Sequence, residues 1–312
     1  MEAPLALDPA AVPPPDPEAD PEGFVVLVEP ADRIHFLDWD GSGSPGVLLV
    51  HGIGQTAWTW APVARRLAGV RRTVAADLRG HGLSDAPTSG YDAATLAEDA
   101  IAVADGSGLL RDGPIVLAGH GFGAVVAAWT AVALGERCAG LVLVDGGWED
   151  VSRSTGLDPD EFLRTLDEPP EVLRSMAAFL ADRRGFDPAT WDADQERAAR
   201  ATVVETVAGR VVPVTRPHVV AGIVEALFAY RPLDVLPRVA APLVALMAAE
   251  DEAAGRAPAL ERAAAAVAEA ARERGGPAMR VARFPSSGHN LVRYRPAEVT
   301  AAILAVAERG TR

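Results

Sequence analysis

The segment Gly119-His120-Gly121-Phe122-Gly123 follows the apolar run Pro114 to Ala118 and opens a helix-like stretch from Phe122 to Leu134. This pattern predicts a strand, a sharp turn and a helix, the outline of a nucleophile elbow. In the G-x-S-x-G form of that turn, the central residue presents a hydroxyl at the top of a parallel sheet. Here the centre is Gly121, which offers only a hydrogen atom. Glycine accepts the strained dihedrals of such a turn at little cost, so the turn can persist without a nucleophile. Acyl-enzyme turnover through residue 121 is excluded, and no other Ser, Thr or Cys is expected where it could substitute.

Three further parts of the chain accompany the turn. Val47-Leu-Leu-Val-His51-Gly52-Ile53-Gly54-Gln55 reads as a buried strand running into a glycine-bearing loop, and Asp77-Leu-Arg-Gly-His81-Gly-Leu-Ser84-Asp85 as the turn after the next strand. Near the end, Pro242 to Met247 leads to Ala248-Ala-Glu250-Asp251, and Val281 to Phe284 leads to Ser287-Gly288-His289-Asn290. On these segments the chain resembles the α/β-hydrolase superfamily from roughly residue 24 to residue 309. The resemblance implies an α/β-hydrolase fold: a mostly parallel sheet covered by helices on both faces, with an inserted helical cap. It further implies Asp251 as the acid, His289 as the base, and the backbone N–H groups of Phe122 and Ile53 as oxyanion donors. Gly121 then stands at a vacant nucleophile position. Asp145, at the end of Leu141 to Val144, and Glu250, beside Asp251, are alternative acids. Trp58 and Trp148 are candidates for substrate contact, although aromatic residues of this kind more often serve packing.

The remaining histidines read differently. His51 and His81 are expected to stabilise turns, and His120 occupies a variable position of the elbow. His35 and His218 have no ligand partner at metal spacing, so neither a metal nor a cofactor is expected.

Composition narrows the partners. A formal net charge of −14 repels phosphate backbones and anionic lipid surfaces, which argues against nucleic acid and membrane. A small-molecule substrate or ligand is expected instead. All 29 basic residues are arginine, so no Schiff base can form on a lysine amine. Cys138 has no second cysteine to pair with and reads as a buried packing residue; a reduced, cytoplasmic setting is the expectation.

The elements that must position these residues follow from periodicity. Apolar runs predict strands at Phe24 to Val28, Ile34 to Trp39, Val47 to Val50, Thr73 to Ala76, Ile115 to Ala118, Leu141 to Val144, Leu243 to Met247 and Arg280 to Phe284. Helical patterns fall at Trp58 to Leu67, Ala93 to Ala104, Phe122 to Leu134, Ala257 to Arg274 and Ala297 to Ala307. Strands alternating with helices predict a parallel sheet whose ligands bind at the carboxyl ends of the strands, where all the segments above end. Three regions result: a disordered acidic and proline-rich tail over 1–22, a core over 23–147 and 237–312, and a helical cap over 148–236.

Three functions compete on the sequence alone. The first is an enzyme acting on a small apolar carbonyl compound, an ester, lactone or C–C bond next to a carbonyl, by His–Asp general-base and oxyanion chemistry without an acyl-enzyme. The second is a non-catalytic pseudoenzyme that binds a small molecule or a protein. The third is a serine esterase whose nucleophile was replaced by Gly121.

Overall fold

A computed structural model of the protein describes residues 7–166, 175–249, 256–275 and 277–309. Its strands are β1 Glu22–Val28, β2 Asp32–Asp38, β3 Val47–Val50, β4 Thr73–Ala76, β5 Ile115–His120, β6 Cys138–Val144, β7 Val203–Glu205, β8 Val211–Pro213, β9 Leu243–Ala248 and β10 Arg280–Phe284. The helices are α1 Ala61–Leu67, α2 Ala93–Gly106, α3 Phe122–Leu134, α4 Val151–Thr155, α5 Pro159–Leu166, α6 Met176–Phe186, α7 Ala193–Ala201, α8 Pro217–Ala229, α9 Pro232–Val235, α10 Arg256–Arg274, α11 Leu291–Tyr294 and α12 Pro296–Arg309.

Eight strands form one sheet in the order β1-β2-β4-β3-β5-β6-β9-β10. The pairs β1–β2 and β2–β4 are antiparallel and the remaining pairs are parallel. Successive residues of an inner strand enter opposite cores: Leu48 and Val50 join one apolar cluster, Val47 and Leu49 the other. Both faces are covered, so these strands read as unbroken apolar runs instead of alternating ones. The expected fold class is the one observed. α3 packs on β5, β6 and α2 and is buried almost all round, which accounts for its nearly continuous apolar sequence.

Between β6 and β9 the chain runs through α4 to α9, and one feature there departs from the all-helical expectation. The strands β7 and β8 form a separate antiparallel hairpin, with Val203 opposite Pro213 and Glu205 opposite Val211. The valine pairs 203–204 and 211–212 favour extended backbone, and Gly209, at φ +71°, supplies the left-handed residue that the connection needs. Among the described residues, no helix is long and apolar enough to cross a membrane.

The amino-terminal segment also departs from expectation. Residues 1–6 lie outside the described part, but from Leu7 onward the segment is laid against the core. Arg65 of α1 is 8% exposed, and its guanidinium donates to the carbonyls of Asp16, Pro17 and Ala19 at 3.4, 3.2 and 2.8 Å. It also meets the carboxylates of Asp20 at 2.8 Å and of Asp194, on α7, at 3.0 Å. The composition of the tail gave no sign of this, because the anchor is one arginine whose donors satisfy backbone oxygens.

Candidate functional site

Register brings three loop starts together. Val50 of β3 lies opposite Gly119 of β5, and His120 of β5 lies opposite Val144 of β6. The chain steps from β3 outward to β4 and then back to β5 on the other side of β3, so the topological switch point, where such sheets take their ligands, falls at the carboxyl ends of these strands.

The turn itself is a tight one. Gly121 has φ +55° and ψ −119°, and its N–H donates to the Val144 carbonyl at 3.0 Å. A Cβ on Gly119 would lie 2.1 Å from the Gly123 carbonyl oxygen, and one on Gly123 would lie 2.3 Å from that of Val50, so packing alone demands both glycines. Position 121 is different. A Cβ there would find His289 Nε2 at 3.4 Å, His289 Cε1 at 3.7 Å and Gly52 Cα at 3.9 Å, all ordinary contacts. The N-terminal end of α3, with its positive partial charge, faces the same point. Among the described residues no acceptor is found for the N–H groups of Phe122 or Ile53, while Gly54 N–H is held by His81 Nε2 at 3.1 Å.

His289 follows β10 and reaches across the end of β9 to Asp145, with Nδ1 to Oδ2 at 2.5 Å. With Nδ1–H donated to the carboxylate, the lone pair sits on Nε2, the atom nearest the empty Cβ position of Gly121. The acid that meets His289 is therefore Asp145, the alternative position on the sequence reading. Asp251 and Glu250 lie outside the described residues. The hydrogen bond at Nδ1 goes to Asp145, and the expectation of Asp251 falls on a residue outside the described part. Strand order explains the reach: β6 is the immediate neighbour of β5, so the residue after Val144 stands beside the residue after His120.

Asp145 is fully buried and has φ +47°, one of two non-glycine residues with positive φ among those described. Its Oδ1 accepts from Ala248 N–H at 2.8 Å and from Arg256 at 3.0 Å, and Arg256 also reaches Oδ2 at 3.3 Å. Burial would push its pKa up, but the His289 hydrogen bond and the Arg256 charge outweigh burial and hold it below the usual carboxylate value. Arg256 bonds Glu149 at 3.0 Å as well and lies over the Trp148 ring, 5.7 Å from its centroid. Sequence reasoning missed Arg256 and Glu149, and no local motif marks either of them.

It also passed over His120. That ring is buried, 4.7 Å from the His289 ring between centroids, with Nε2 at 3.1 Å from the His289 carbonyl and Nδ1 at 3.1 Å from Gln55 Oε1. Burial, and then the neighbouring His289, press its pKa down to about 3, so the ring is neutral. A neutral imidazole has one N–H, and both neighbours are oxygens, so the proton serves either the Gln55 loop or His289. Its place immediately before Gly121 was the available signal. His51 and His81 do stabilise turns as expected, His51 Nε2 accepting from Leu78 N–H at 3.0 Å.

Neither tryptophan is among the three atoms nearest a Cβ at Gly121. Trp58 is edge-on to Trp39 at 6.0 Å and lies beneath Arg197 of α7 at 4.6 Å. Trp148 is 1% exposed. Among the described residues, no group of three His, Cys, Asp or Glu is placed to hold a metal. The arrangement thus offers an imidazole oriented by a carboxylate beside the N-terminus of α3, with the His289 side chain 62% exposed.

Comparison with known proteins agrees with this layout. A family model described as the alpha/beta hydrolase family matches residues 47–303. The 2-(acetamidomethylene)succinate hydrolase of Mesorhizobium japonicum is 32% identical over 153 residues, 48% of this chain and 52% of that protein. Epoxide hydrolase 4 of Mus musculus is 30% identical over 132 residues, 42% of this chain and 36% of that protein. The matched stretches therefore span about half, or less, of these curated relatives. The crystal structure of E-2-(acetamidomethylene)succinate hydrolase superposes with a TM-score of 0.68 at 22% identity, covering 92% of this chain and 99% of that one, which shows a shared fold. Strand order, the turn at Gly121 and a family match over most of the length lead to one conclusion: the chain belongs to the alpha/beta hydrolase family.

Proposed function

We propose that the protein acts on a small apolar carbonyl compound, an ester, lactone or carbonyl-activated C–C bond, without an acyl-enzyme. His289, oriented by Asp145, takes a proton from water or from the substrate above Gly121, and the N–H groups of Phe122 and Ile53 hold the developing oxyanion. The observation that carries this reading is the 2.5 Å contact of His289 Nδ1 with Asp145 Oδ2, which leaves Nε2 facing the space over Gly121. General-base help of this kind contributes about 10²–10⁴ in rate, and one oxyanion donor about 10²–10³. Neither needs a side chain at position 121. The named relatives are hydrolases of an acetamidomethylene succinate and of epoxides, which favours water as the second reactant.

The competing reading is a binding module. It is favoured by the absence of a nucleophilic side chain at Gly121 and by Arg256, which already balances the Asp145 charge. Hydrolysis of phenyl acetate and of a small lactone by the full chain separates the two. Catalysis predicts a fall of about 10²-fold or more in His289→Ala and a fall in Asp145→Asn. Equal rates in all three folded proteins would leave the binding reading.

A further inference from the structure

A concavity of about 360 Å³ lies where α4, α9 and α10 meet. Gly121, Phe122, Ile53 and His289 are not among its lining residues, which include Trp148, Arg153, Arg231, Arg262, Asp150 and Asp234. Three guanidinium groups face two carboxylates here, in a chain whose net charge is −14.

The carboxylates do not use up the arginines. Asp150 caps α4, accepting from Arg153 N–H at 3.2 Å, and stands 3.5 Å from the Arg153 guanidinium and 3.7 Å from that of Arg231, longer than close charge-assisted hydrogen bonds. Arg231 is anchored by the carbonyls of Phe228 and Tyr230 at 2.7 and 3.0 Å through one nitrogen. Arg262 is exposed and has no hydrogen-bond or ion-pair partner among the described residues. Trp148 also lines the cavity; it is 1% exposed, and its indole N–H has no acceptor among the described residues. Trp39 and Trp60 carry unpartnered indole N–H groups too, but neither lines this cavity.

We propose that this cavity is a binding site for a small oxyanion, a carboxylate or a phosphate monoester, held by Arg262, Arg231 and Arg153 beside the Trp148 ring. Through the Trp148 ring it abuts Arg256, and through Arg256 it abuts Asp145. The site requires no catalysis at His289, so its test is separate from that of the proposed function.

The test is titration of the full chain with inorganic phosphate, with malonate and with neutral malonamide, followed by calorimetry and by the indole N–H peaks in a ¹H–¹⁵N spectrum. The Trp148 peak is assigned by its loss in Trp148→Phe. Saturable binding of an anion but not of malonamide is expected, with the Trp148 peak moving. Arg262→Gln, which breaks no hydrogen bond or ion pair among the described residues, should weaken that binding about tenfold or more. Phosphate alone would assign a phosphate ligand and malonate alone a carboxylate. No saturable binding up to about 10 mM, or binding indifferent to Arg262→Gln, would overturn the proposal. If Trp148→Phe does not fold, the Arg262→Gln titration decides by itself.

Discussion

Restoring a side chain at residue 121 tests the preorganisation of the site directly. A serine Cβ at Gly121 would sit 3.4 Å from His289 Nε2, so its hydroxyl, one bond further out, falls within hydrogen-bond reach of that nitrogen. The cost is backbone strain at φ +55°, about 1–3 kcal/mol for a non-glycine residue, within the ~5–15 kcal/mol that stabilises an ordinary domain. Gly121→Ser should therefore fold. In a serine hydrolase the nucleophile is worth about 2 × 10⁶ in kcat, which sets the ceiling. This site should fall short of it, because the His289 side chain is 62% exposed and Arg256 shares Asp145. A gain of at least ~10²-fold in p-nitrophenyl butyrate hydrolysis is expected, about 2.7 kcal/mol of barrier. An acyl adduct on residue 121 should be visible by mass spectrometry. Gly121→Ala carries the same strain without the hydroxyl and should show no gain. Two results would refute the reasoning: a folded Gly121→Ser protein with no gain on any acyl length, or a gain that survives in Gly121→Ser/His289→Ala.

Two further predictions concern stability. The buried rings of His81 and His120, each with its pKa pressed to about 3, bind a proton near pH 6.5 when unfolded but not when folded. Their folded pKa values are lowered, so the stability they confer is complete above about pH 6.5 and drains away as pH falls towards 3; Asp145, also lowered, adds to the loss at the acid end. Urea midpoints should fall steadily from pH 7 to pH 4, and less steeply in His81→Gln; a flat profile would contradict the assignment of neutral buried rings. Arg65→Ala should cost about 1–3 kcal/mol, since the carbonyls lose their donor while Asp20 stays solvated and paired with Arg197, and should raise hydrogen exchange over residues 16–20 and α7. Unchanged exchange in those two segments would show that Arg65 is not their anchor.

What the sequence by itself determined is the local part of the fold. β3 and β4 begin and end where the apolar runs do, and α3 spans the whole of Phe122 to Leu134, because a strand buried on both faces and a helix buried all round leave continuous apolar text. The turn at Gly121 was equally legible, since Gly119 answers to the carbonyl of Gly123 four residues on and Gly121 to its own positive φ. The partners across the sheet were not legible. Asp145 became the residue that holds His289 only because β6 pairs with β5 and Val144 falls opposite His120, a register that no local pattern specifies. Arg256 on Asp145, and Arg65 on the backbone of Asp16 to Ala19, join residues 111 and about 50 positions apart. In each case one guanidinium satisfies oxygens from a distant segment. Charge and hydrogen bonds fix such contacts only after the apolar layers have set the distances, so the tertiary structure alone decided them.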